Sequence, residues 1–486
     1  MNSERRGDWL WAAVWPAAAL AAGLALRLWF IFHLPRVAGD TLVYGAIAKN
    51  WLLHGVYGFG HMGAAPGPVA VRPTLIRLPG YPIFLAACFR LFGMENYRAV
   101  MYVQAAADLL TCWLASALAG RLFGRRAALV VLWLAALCPF TANYVAAPLT
   151  ETLVLTTIAL AFYGFARWQD AGLGYNRWLW VVSAALGYSI LLRPDQGLLA
   201  AAIVPAMLWH SIASRRQRTP LAAASPVLAM ALCAVLPLAP WTLRNWRTFH
   251  VFQPLAPRYA NDPGELAPRG FARWYRTWAI DFASTDEVYW NYDGNPIQLS
   301  DLSARAFHVG SPQADADLRA RTAALLDDYN EITSETPAID ARFAALAAER
   351  IHAHPILYCC ALPIARTFDM MLRPRVEMMN IPDEWWSDPV PRAKRIFAPA
   401  YATLNFAYVA VAVAGFLAWR SRRWLTFDGK GFSALAAAMA ASILLRTALL
   451  LTLDNSEPRY TLEFFPVLLV FAGALFAARP RAASAP

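Results

Sequence analysis

Residues 221–243, LAAASPVLAMALCAVLPLAPWTL, carry no charged side chain, and Arg244 stands immediately after them. A run of that length crosses ~30 Å of hydrocarbon as a helix. Comparable runs of about 17 to 25 apolar residues occur near 9–32, 98–120, 126–147, 149–168, 177–193, 197–213, 396–419, 432–453 and 460–478, which predicts about ten spans. The composition agrees. Of 486 residues, 58% are hydrophobic and 15% charged, and the mean hydropathy is +0.38, far from the values of a soluble globular chain. The fold class expected is an all-α integral membrane bundle.

The first apolar run follows Arg5 and Arg6 as a signal peptide would, but it is long and has no small-x-small site before His33, so it is expected to remain as an anchor. With the N-terminus inside, alternate connections carry Arg121, Arg125 and Arg126; Arg167 and Arg177; Arg215, Arg216 and Arg218; Arg420, Arg422 and Arg423; and Arg479 and Arg481. Short inner loops are enriched in Lys and Arg. The net charge of +11 is therefore read as a topology signal, and nucleic acid is not expected as a partner. The six cysteines lie in or beside apolar segments without a CxxC spacing, so neither a disulfide framework nor a zinc site is expected. No internal repeat is visible.

Two outer regions exceed what a connection needs, residues 33–97 and the long stretch that begins at Arg244; loops of that size usually fold and work. The organisation expected is an N-terminal transmembrane module over 1–243 that includes the 33–97 loop, an outer loop domain over 244–395, and C-terminal spans over 396–486. Helical stripes over 313–332 and 336–352, with Leu325, Leu326, Ile339, Phe343 and Leu346, predict a small helical outer domain. Pro355 to Met371 is apolar but holds Arg366 and Asp369, which suits an interfacial helix better than a span.

The outer turns carry both signs of charge: Asp40, Glu151, Arg193 with Asp195, Arg244 with Arg247, and Glu457 with Arg459. Each has an ordinary explanation. Asp40 could cap a helix lying on the membrane surface, Thr150 could cap the span that Glu151 opens, and Arg193-Pro194-Asp195 could close one helix and start the next. These separate explanations do not account for recurrence at one face, while the inner turns hold mainly arginine, Asp170 excepted. A mixed ring suits a ligand with a phosphate for arginines and hydroxyls for carboxylates. Arg27, Asp108 and Arg446 fall inside predicted spans, where ionisable groups are costly, and read first as a structural pair or triad. The aromatics of RWYRTW (273–278) and DEVYWNYDGN (286–295) could stack on a sugar or form the core of their own loop.

In chain order, GDTLVYGAIAKNWLLHGVYGF (39–59), RLPGYPIFLA (77–86), PLTETL (148–153), LLRPDQGLL (191–199), PWTLRNWRTFHVFQPL (240–255), AAERIHAHPILY (347–358) and EPRYTLEFFPVLLVFAG (457–473) are the strings that matter. Together they resemble the multispan GT-C glycosyltransferases, of the protein O-mannosyltransferase and aminoarabinose transferase kind in glycosyltransferase families 39 and 83. The resemblance implies a GT-C-like bundle of the bacterial inner membrane, multi-pass, with its active site facing the periplasm. It implies a polyprenyl-phosphate-linked sugar as donor, an extracytoplasmic acceptor hydroxyl on a lipid, glycan or protein, and an inverting displacement.

By the same resemblance Asp40 is the catalytic carboxylate and Glu151 the second. Arg77, Arg193, Arg244, Arg247 and Arg459, with Arg72 beside them, are expected at the donor phosphate. Tyr44, Tyr81, Asp195, Glu457 and Tyr460, in the same strings, are expected to bind substrate. Several members of the family carry two adjacent acids in the first loop, whereas Thr41 follows Asp40 here. That departure counts against a bound divalent metal, since one carboxylate is a poor cage for Mg²⁺. The rival readings are a polyprenyl-linked lipid flippase or transporter and a carrier-lipid glycan ligase or polymerase. Transporters favour midplane polar groups on repeated, broken helices, and this chain puts most of its ionisable groups at the rim.

Overall fold

The computed structural model describes residues 3–61, 70–214, 219–386, 389–421 and 431–477. Arg215, Arg216, Arg218, Arg422, Arg423, Arg479 and Arg481 lie outside the described residues. The chain divides into two compact units: Met1–Pro257 with Phe406–Leu445 and Leu462–Pro486, and Arg258–Asn405 with Arg446–Thr461.

The larger unit is a helical bundle. Its elements begin with α1 (Ser3–His33), α2 (Asp40–His54), a short antiparallel hairpin of β1 (Gly58–His61) and β2 (Ala70–Pro73), and α3 (Gly80–Phe92). They continue through α4 (Tyr97–Phe123), α5 (Arg125–Ala136), α6 (Glu151–Asp170), α7 (Arg177–Leu192), α8 (Gly197–Ser214), α9 (Pro220–Val235) and α10 (Leu238–Phe249). One continuous core joins the helices other than α10, with Leu114, Leu118, Val131, Val154, Phe162, Phe165, Trp168, Leu186 and Val470 all buried, and a smaller cluster of Ile47, Tyr57, Leu75, Leu78 and Trp241 ties α10 to the hairpin region.

Among the described residues six helices are long and apolar enough to cross a membrane, or up to eight if each of two bent pairs is one span, and three further apolar helices are shorter. The expected run over 126–147 is one of the bent pairs, broken at a 46° angle. Pro139 there has no N–H to continue the ladder of α5. The run over 432–453 contributes the shorter helix Ala434–Leu450. This is a multi-pass helical membrane protein.

The helix α6 has 20 residues, so at 1.5 Å per residue its ends stand about 30 Å apart. Glu151 opens it and Asp170 closes it. At the Asp170 end Arg121 and Arg167 face that carboxylate. Acids and arginines collect instead at the Glu151 end.

The smaller unit has its own core. Helices α11 (Arg269–Tyr275), α12 (Pro312–Ile332) and α13 (Pro337–Ala353) enclose Trp274, Tyr275, Trp278, Tyr329 and Phe343. The α12 and α13 ranges match the sequence stripes, and Leu325, Leu326, Ile339, Phe343 and Leu346 are buried as expected. The aromatics of RWYRTW and DEVYWNYDGN are mostly this core: Tyr292 stacks on Phe271 with centroids 3.7 Å apart, while Trp290 is exposed. After α13 the chain bends by 104° into Leu357–Leu372. There Ile356, Ile364 and Phe368 are exposed, while Arg366 and Met370 turn inward.

Candidate functional site

The sequence AGD places Gly39 before α2 with φ +54°, the left-handed region that a side chain disfavours. Gly39 is the N-cap, and no side chain caps the helix. Asp40 is therefore the first helical residue, and its carboxylate is used elsewhere: Oδ1 accepts from Arg77 Nη2 at 2.8 Å. Both side chains are about a quarter exposed, at 25% and 24%.

A second cluster stands at the junction of α6, α7 and α8. Arg193 is the C-cap of α7 in extended backbone, φ −149° and ψ 131°, the conformation that a following proline favours. Its Nε and Nη2 fork onto Asp195 at 3.2 Å each, and Nη1 donates to Glu151 at 3.4 Å. Glu463 adds a third carboxylate, with Oε1 3.5 Å from Arg193 Nε. Close packing makes the junction possible. Gly80 begins α3 against the end of α7, where a Cβ would stand 2.5 Å from the Leu191 backbone, and the Tyr188 hydroxyl donates to the Gly80 carbonyl at 3.2 Å.

Tyr44 lies between the two clusters. Its ring meets Tyr81 edge-on at 5.1 Å and lies under Arg77 at 5.8 Å. Burial raises the Tyr44 hydroxyl above its ordinary value, with Arg77 and Arg193 opposing the rise and Asp40 and Glu151 adding to it. Tyr44 therefore remains a neutral hydrogen-bond donor at neutral pH. The Tyr81 hydroxyl donates to Gln104 Oε1 at 2.7 Å, and Gln104 in turn donates to the Ala147 carbonyl at 2.8 Å just before Glu151.

Arg244 has a different setting. On α10 it donates from Nη1 to the Thr74 carbonyl at 2.7 Å and from Nη2 to the Tyr57 carbonyl at 2.9 Å. The rings of Tyr57, Trp241 and Phe249 each have its guanidinium carbon within 5.3 Å. The Tyr57 hydroxyl donates to the Arg77 carbonyl at 3.0 Å, so Arg244 braces the segment that presents Arg77. Arg72 on β2 and Arg247 on α10 are exposed.

The remaining expected site residues belong to the smaller unit, where Arg459 pairs with Glu457 and the Tyr460 hydroxyl donates to Glu457 at 2.9 Å. Arg446 donates there to the Tyr460 carbonyl at 3.2 Å. In the larger unit Arg27 pairs with Asp108 at 2.5 Å, both fully buried. That part of the structural pair or triad is formed as expected.

Glu463 was not singled out from the sequence, although a signal was present. It is the sole charged residue between Arg459 and Arg479, in an otherwise apolar run. An acid in that position marks a functional or paired site. Among the described residues no group of three or more His, Cys, Asp and Glu is arranged to hold a metal ion.

The sequence pattern of dolichyl-phosphate-mannose-protein mannosyltransferase matches residues 72–241. This segment resembles a GT-C glycosyltransferase. The GT-C-like segment contains Arg77, Tyr81, Glu151, Arg193 and Asp195, while Asp40 and Glu463 flank it.

Among solved structures the chain is similar to the apo oligosaccharyltransferase of Archaeoglobus fulgidus, with TM-score 0.48 and 12% identity over 96% of this chain and 50% of that one. It is also similar to ArnT from Cupriavidus metallidurans bound to undecaprenyl phosphate, with TM-score 0.39 and 16% identity over 96% of this chain and 78% of that one. Apo ArnT gives TM-score 0.38 and 18% identity over 97% and 78%. The chain spans about half the length of the oligosaccharyltransferase. The comparison with curated proteins gave no match.

Proposed function

We propose that this protein transfers a sugar from a polyprenyl-phosphate carrier to an acceptor hydroxyl at the extracytoplasmic face of a bacterial inner membrane. The observation that carries the reading is the meeting of Asp40–Arg77 with the Glu151–Arg193 cluster around Tyr44, at the end of the bundle opposite the Arg121–Asp170 turn. Residues far apart in sequence converge there without an obvious packing need.

In this reading Asp40 orients the acceptor hydroxyl and takes its proton as the oxygen attacks the anomeric carbon. The bond to the carrier phosphate breaks on the opposite side, so configuration inverts. The leaving phosphate gains negative charge, and Arg77, partly exposed beside Asp40, is the arginine best placed to stabilise it. Glu151 supplies the second carboxylate and Tyr44 bounds the sugar, while Tyr81, expected as a substrate contact, is fully buried and supports the Tyr44 ring from behind. Arg193, already shared by three carboxylates, is better suited to fixing them than to receiving another anion. Arg244 holds the Arg77 segment in place.

The test is direct. Purified protein is incubated with undecaprenyl-phosphate mannose, glucose, galactose and 4-amino-arabinose in turn, with an envelope extract supplying acceptors, and released undecaprenyl phosphate is measured. Release from at least one donor is expected. A protein that moves the intact lipid across proteoliposomes and releases no phosphate is a flippase, and the transfer reading fails.

A further inference from the structure

Three carboxylates meet one guanidinium at Arg193, and the third has no evident reason to be charged. Asp195 already takes the two-pronged face of Arg193, and Glu151 takes Nη1. Glu463 approaches Nε from the last span, Pro458–Phe476, only 8% exposed. Its other oxygen accepts from Gln196 Nε2. Gln196 is itself buried, at 3% exposure, and its Oε1 accepts from Ser189 Oγ at 3.3 Å on α7.

A glutamine at 463 would fill the same space and keep a hydrogen bond to Gln196, so packing alone does not call for an anion. A buried anion in an apolar helix is costly and is kept where its charge has a task. The task open to it is electrostatic. By sharing Arg193, Glu463 holds that guanidinium between the acids and keeps it from closing onto Glu151 alone.

We propose that Glu463, held by Gln196, is a positioning residue that sets the orientation of Arg193 and, through it, the placing of Glu151 and Asp195. The proposal rests on the transfer reading above. Removing the charge releases Arg193 from the last span and lets it shift on Asp195 and Glu151.

The experiment compares wild type, Glu463→Gln and Glu463→Asp, using the undecaprenyl-phosphate sugar that wild type turns over in the panel above. Release of undecaprenyl phosphate is followed against donor concentration, with thermal unfolding in detergent alongside. For Glu463→Gln, kcat is expected to fall by roughly 10-fold at neutral pH while KM for the donor changes by less than about 3-fold. Glu463→Asp, which keeps the charge on a shorter arm, should recover part of kcat.

A Glu463→Gln protein with the wild-type kcat overturns the proposal while the transfer reading stands. So does a loss explained entirely by lower thermal stability in both variants. Absence of turnover by wild type with every donor overturns the transfer reading, and this role with it. If Glu463→Gln does not fold, Glu463→Asp decides: a wild-type kcat excludes positioning through Arg193, and a reduced kcat at unchanged donor KM and unfolding temperature supports it.

Discussion

Arg27 with Asp108 and Arg77 with Asp40 are the same chemical pair in two parts of one unit. The first pair, at 2.5 Å, is 0% and 1% exposed, and Arg27 also donates to the carbonyls of Gly23 and Ala136 at 2.8 and 2.7 Å. The second, at 2.8 Å, is about a quarter exposed on both sides and stands beside a further ionic cluster. A buried pair whose donors are met by backbone ties helices together. A pair open to water, with a tyrosine and more carboxylates nearby, can exchange a protein partner for a ligand. Burial therefore separates structure from function where residue type does not.

The sharpest way to break this contrast is at the buried pair. Asp108→Ala is expected to destabilise the protein by about 3–5 kcal/mol, because Arg27 is left charged and uncompensated in the bundle. Asp40→Ala, measured by the same detergent unfolding, should cost far less, since Arg77 can turn to water. Equal losses from the two would erase the distinction.

A smaller effect separates geometry from charge at the open pair. Arg77→Ala should weaken donor use by roughly 1.5–3 kcal/mol if the guanidinium makes a charged hydrogen bond to phosphate. Arg77→Lys should recover part of that, since an ammonium keeps the charge and loses the planar fork. Donor dependence of turnover is the measurement, with Arg125→Ala as a control from the opposite turn.

The smallest expected effect concerns the smaller unit. Burial, with Glu384, Asp301, Asp286 and Asp383, pushes the Glu287 carboxyl up to about 7. Its folded value then exceeds its unfolded one, so folding favours the protonated form. Stability from this group is fully present below about 4.5 and is lost as pH rises through about 7. Glu287→Gln should flatten that dependence in unfolding followed by tryptophan fluorescence. An unchanged slope would assign it to other groups, Glu335 first, which burial also pushes up to about 7.

Much of this organisation was legible in the chain itself. Apolar runs and the stripes of α12 and α13 follow from periodicity and length, which are local properties. Asp40, Glu151, Arg193 and Asp195 stood out because charge at the ends of apolar helices is unusual. Their partners were not legible. Asp40 meets Arg77 across 37 residues, and Arg193 meets Glu463 from the final helix; no local period encodes which helices lie side by side. Arg244 looked like the others by type and place, yet its nearest acceptors are backbone carbonyls, and carbonyl positions are set by the turns between helices. Glu463 was hidden by Glu457 and Arg459, a more conspicuous pair that binds to itself.

The account depends most on Asp40 acting as a base, and Asp40→Asn tests that with little change of shape. Single-turnover release of undecaprenyl phosphate, with the donor that wild type accepts, should fall by about 10²–10⁴-fold, with donor binding and thermal unfolding close to wild type. Release at the wild-type rate by a folded Asp40→Asn protein would contradict the mechanism and leave the Asp40–Arg77 pair a second structural tie.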